Sequence, residues 1–104
     1  MAQFDVYDNP NVAQRGAFPY FVVLQSDQLR EYSTRLAMPL TRAPAVSKAP
    51  RRLAQSVLVK GERLYLAPHL TAALPHTVLR QPVESLRGVS AVLIDALDAV
   101  VSGV

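Results

Sequence analysis

With 104 residues, 50% of them hydrophobic and 18% charged, the chain is too apolar for a disordered tail and fits one domain, residues 1–104, with a modest core. Eleven Lys and Arg against eight Asp and Glu leave a formal charge of +3, short of the dense basic stripe of a dedicated nucleic-acid binder. The absence of cysteine excludes disulfides and thiolate chemistry, and a zinc site would need His and carboxylates alone.

Gln3 to Tyr7 alternates polar and apolar, with Phe4 and Val6 on one side, and reads as a short strand. The same segment lacks a basic region followed by an apolar one, so no secretory signal is read and a reducing cytoplasm is the expected location. DNPNVAQRG is a loop by composition, and PYFVVLQ is a second, more buried strand. After the interruption SDQLREYS, RLAMPL is a third short strand, where Pro39 predicts an edge or a bulge because proline donates no ladder hydrogen bond. TRAPAVSKAPRR carries two prolines among basic side chains and reads as an exposed, mobile loop of the kind that holds binding residues.

The clearest element is a hairpin in LAQSVLVKGERLYLAP, with Val57 and Val59 leading into Lys60-Gly61-Glu62 and Leu64 and Leu66 leading out. HLTAALPHTVLRQP is ambiguous: Leu70 to Leu74 fits a helix and HTVLRQ a last strand. From Val83 onward the period changes to three and four. Val89, Leu93, Ala96 and Val100, flanked by Val92 and Leu97, make one apolar helix face, with Asp95 and Asp98 outside its centre and Gly103 at a C-cap position. This stretch contains both aspartates and falls short of the roughly 20 apolar residues of a membrane span.

Local chemistry points away from an enzyme. His69 and His76 could be metal ligands or an acid and base, but Pro75 breaks any helix joining them and no carboxylate lies nearby in sequence, so they read as surface histidines. Asp95 and Asp98 could form an acid pair, but three residues apart they more simply solvate a helix face. No phosphate-binding glycine loop and no metal-ligand cluster is visible, and no cofactor is expected. The core reading of the final helix does not account for its uncharged Ser102-Gly103-Val104, which suits insertion into a partner or a subunit interface.

The order of QFDVY, FVVLQSD, a basic residue followed by MPL, VLVKGERL and a helix finishing in small-Gly-aliphatic resembles the CcdB family of toxins over essentially the whole chain. Its sharpest matches are Gln3, Phe4, Tyr7, Gln25-Ser26-Asp27, Pro39-Leu40 and Gly103-Val104. The resemblance implies a mostly β fold, a small antiparallel SH3-like barrel of the CcdB/MazF type with a C-terminal α-helix, assembled as a homodimer. It further implies a protein without catalytic activity that poisons DNA gyrase by binding its A subunit and trapping cleaved DNA. A largely disordered, acidic, CcdA-like antitoxin would neutralise it, and operator DNA would be bound mainly through that antitoxin.

In that family the helix ends in Trp-Gly-Ile. Gly103 keeps the glycine and Val104 stands in for the isoleucine, whereas Ser102 replaces the tryptophan and removes an aromatic face whose contacts are worth about 1 kcal/mol each. Gln3, Phe4, Tyr7 and Ser26 are secondary candidates for the gyrase surface, although packing and turn formation explain them equally well. Arg42, Lys48, Arg51 and Arg52 suit an acidic antitoxin electrostatically. Two alternatives remain: a divergent toxin whose target is lost or changed, and a MazF-like endoribonuclease using His76 or His69 with Arg35 or Arg52, for which no spacing speaks.

Overall fold

The structure is a computed structural model that describes residues 2–43 and 55–102. Among these residues seven strands form one antiparallel sheet: β1 (Asp5–Asp8), β2 (Tyr20–Val23), β3 (Thr34–Thr41), β4 (Ser56–Val59), β5 (Glu62–Leu66), β6 (Ala72–Pro75) and β7 (Glu84–Ser85). Among the described residues one α-helix, α1 (Ser90–Ser102), follows. The strand order is β4-β5-β3-β2-β1-β7, with β6 also paired to β3.

The sheet curls into a nearly closed barrel. Its two outer strands meet at the β4–β5 turn, where the Lys60 amide donates to the Glu84 carboxylate of β7 at 3.0 Å. The hairpin stands where the sequence predicts it, with a turn one residue shorter than Lys60-Gly61-Glu62: Val59 pairs with Glu62, and Lys60 and Gly61 take φ of 51° and 81°. Positive φ at both central positions is the primed turn whose twist matches a hairpin.

Hydrophobic alternation sorts the residues between two sides of the sheet. Val6, Val22, Met38, Leu40, Val57, Val59, Leu64 and Leu66 fill the main core, joined by Phe4, Leu86 and, from α1, Leu93 and Ala96. On the opposite side Tyr7 and Val23 pack under Leu79 and Leu74 in a smaller cluster.

Pro39 departs from the sequence expectation. Strand β3 is eight residues long and central, flanked by β2 on one side and by β5 and β6 on the other. The Leu24 amide donates to Leu36 O in the β2–β3 register. Hydrogen-bonded pairs alternate, so Phe21–Pro39 is a non-bonded pair and the proline nitrogen faces away from β2. On that far side β6 pairs with residues 34–37 and β5 with 40–41, leaving Pro39 in the gap, where its carbonyl still accepts from the Ala67 amide at 3.1 Å. A central proline is tolerated because no donor is required there.

The ambiguous segment resolves against both predictions. Residues 72–75 are strand and His76–Val78 are a 3-10 turn. The helix begins only at Ser90, because Glu84–Ser85 pair with β1 and Arg87–Val89 form another 3-10 turn. Its buried face is Leu93, Ala96 and Ala99, with Val92 and Leu97 beside them; Val89 and Val100 are 40% and 39% exposed. Asp95 is half-buried rather than fully solvated and accepts a 2.8 Å hydrogen bond from Gln55 Nε2.

Candidate partner-binding site

The N-terminal segment and the turn after β2 converge, as the resemblance implies. The Gln3 amide donates to Asp27 Oδ1 at 2.8 Å, and Gln3 Nε2 donates to the Leu24 carbonyl at 2.9 Å. Each residue of Gln25-Ser26-Asp27 has a separate task. Gln25 accepts from the Leu36 amide at 3.0 Å and donates to Leu29 O at 3.1 Å, sewing the turn to β3. Ser26 Oγ caps the following 3-10 turn by accepting from the Gln28 amide at 3.2 Å, and Asp27 captures Gln3.

Phe4 enters the core at a φ of 70°, a left-handed conformation that costs a non-glycine residue roughly 1–2 kcal/mol. Three contacts hold it there. Its amide donates to Val23 O at 2.7 Å, its carbonyl accepts from the Leu86 amide at 2.8 Å, and its ring is buried. The Arg87 guanidinium lies 5.9 Å from the ring centroid and within cation–π range. The same group donates to Gln3 O at 3.3 Å and lies 3.8 Å from Asp27 Oδ2. Arg87 thus ties both halves of this surface, a role sequence reasoning missed because a lone arginine ahead of a helix carries no motif.

Tyr7 stands apart. It is buried on the opposite side of the sheet from Phe4, and burial first, with the Asp5 carboxylate second, raises its phenol above the ordinary value, against the opposing effect of Arg35. Ser102, the last described residue of α1, is exposed, and its hydroxyl donates back to the Asp98 carbonyl at 2.7 Å. Gly103 and Val104 lie outside the described residues, as do Lys48, Arg51 and Arg52.

Arg42 is engaged within the fold. Its Nε pairs with Glu62 Oε2 at 2.9 Å, and Nη1 donates to the carbonyls of Arg15 and Gly16 at 2.8 and 2.9 Å, pinning the loop after β1 to the β4–β5 hairpin. His69 and His76 are exposed, and among the described residues no group of three His, Asp or Glu could hold a metal. No described helix is long and apolar enough to cross a membrane.

The family model described as CcdB protein matches residues 3–103. The chain belongs to the CcdB family. Membership in the CcdB family supports a toxin of a toxin–antitoxin system and agrees with the barrel-and-helix fold. Nothing among curated proteins matches the chain.

Proposed function

We propose that this CcdB-family toxin acts by binding, without catalysing a reaction, on the A subunit of DNA gyrase, stabilising the cleaved-DNA state, and that a CcdA-like antitoxin neutralises it in the cytoplasm. A ligand shifts such an equilibrium only as far as it prefers one state, so the contact surface must recognise the cleaved complex. The observation that carries the reading is the family match across residues 3–103, which reaches into the C-terminal helix end. The convergence of Gln3 and Phe4 with Ser26 and Asp27 adds a second, rigid surface. The proposed gyrase surface comprises Ser102, Gly103 and Val104 with Gln3, Phe4 and Ser26, in a homodimer; Tyr7, buried across the sheet from Phe4, is left out of it, and Arg42, Lys48, Arg51 and Arg52 are assigned to the antitoxin.

A changed target is the second reading. Ser102 stands where the family carries tryptophan, and its hydroxyl is spent on the Asp98 carbonyl, so the tip offers neither an aromatic face nor a free donor at this position. DNA cleavage with purified gyrase from the host organism separates the two. Accumulation of cleaved DNA with the full chain, abolished by removing Ser102 to Val104, is the expected result. No effect from either form, with antitoxin binding intact in both, overturns gyrase as the target.

A further inference from the structure

On the side of the sheet away from the main core lies a groove of about 620 Å³, lined by Tyr7, Asp8, Arg15, Thr77, Arg80 and Gln81 among others. Its floor is unusual. Tyr7 is 1% exposed, yet its hydroxyl makes no hydrogen bond within the described residues or beyond them. No fully buried side-chain oxygen or nitrogen in the described residues lacks a partner, so the small accessible remnant of Tyr7 is its hydroxyl, at the groove surface. The hydroxyl therefore faces the groove and can donate to an acceptor bound there.

The rim supplies charge to match. Arg15 Nε donates to Asn9 O at 2.7 Å, which fixes the side chain and leaves both terminal nitrogens able to donate. The Arg42 grip on the Arg15 and Gly16 carbonyls holds the loop that carries it. Arg80 is exposed and makes no ion pair or hydrogen bond. Planar guanidinium forks facing one space suit the oxygens of a phosphate. Asp8 adds an acceptor on the same rim, suited to a hydroxyl or amine elsewhere on the ligand.

We infer that this groove binds a small phosphate monoester, its phosphate held between Arg15 and Arg80 and accepting from the Tyr7 hydroxyl, with a ligand hydroxyl toward Asp8. The site is independent of the gyrase reading and lies across the sheet from the Phe4–Arg87 cluster. A phenol is protonated at neutral pH, and burial raises its titration further, so it serves as a donor.

The test is amide NMR titration of the full chain with ribose 5-phosphate, with ribose and inorganic phosphate as separate probes. Saturable shifts in Tyr7, Asp8, Arg15 and Thr77 with ribose 5-phosphate, weaker ones with inorganic phosphate and none with ribose are expected. Arg80→Gln and Tyr7→Phe should each weaken binding about tenfold, the loss of one hydrogen bond to a charged group. Arg80 is exposed, so its variant reports even if Tyr7→Phe perturbs packing. No saturable shift, equal binding of ribose, or binding indifferent to Arg80→Gln overturns the assignment.

Discussion

Three side chains show how local conformation sets what a residue can do. Lys60 sits at a φ of 51° in the hairpin turn, where asparagine is better tolerated than a residue with a longer aliphatic side chain. Lys60→Asn should therefore stabilise the fold by about 0.5 kcal/mol, and Lys60→Val should destabilise it by about 1 kcal/mol or more, both read from urea midpoints at unchanged slope. Phe4 shares the left-handed geometry but is locked by its buried ring, so no small residue is a benign replacement. Tyr7 contributes a pH dependence. Its folded phenol titrates above the unfolded one, so its contribution is complete below the unfolded value near 10 and is lost as pH rises through the folded value. Tyr7→Phe should flatten that part of the alkaline loss in thermal midpoint; an unchanged alkaline slope would contradict the assignment.

At the scale of elements, Arg42 distinguishes a structural from an electrostatic role. Arg42→Lys keeps the charge but cannot reach Glu62 and two carbonyls at once. Amide exchange of residues 15–17 should rise in that variant, whereas a purely electrostatic role predicts no change. In α1, Leu93→Ala should cost about 2–5 kcal/mol, because Leu93 is fully buried against the barrel, while Ile94→Ala, at 56% exposure, should fall below about 1 kcal/mol by chemical denaturation. The hairpin and the helix were legible in the sequence because their periods are local and strong. Strands β6 and β7 were not: Ala72–Pro75 is largely exposed and does not alternate, and Glu84–Ser85 is two residues long, so each exists only through its partner. The resemblance implied that the N-terminal strand and the turn after β2 share a surface, but the Gln3–Asp27 bond, the Arg87 contacts and the groove over Tyr7 depend on residues brought together from distant parts of the chain.

At the scale of the molecule, the hydrogen bond from the Lys60 amide to the Glu84 carboxylate links the two ends of the strand order. Glu84→Gln replaces a charged acceptor for the Lys60 amide with a neutral one and should cost about 0.5–1 kcal/mol. The sharper readout is spatial: exchange should rise together in β4 and β7, at opposite ends of the strand order, and not in the central strands. Exchange rising in only one of the two would mean that the seam does not couple them.

Pro39 carries a different consequence. Because it offers no N–H toward the β5–β6 side, the β5 ladder ends on a single bond, from the Ala67 amide to the Pro39 carbonyl, and β6 pairing ends at Ala37. The proline works as a stop that keeps two competing partners from invading each other's length of the same strand. Replacing it with valine would restore a donor at the junction and open shifted pairings to a chain still choosing its alignment, so the variant should refold with added slow phases even where its final stability is unchanged.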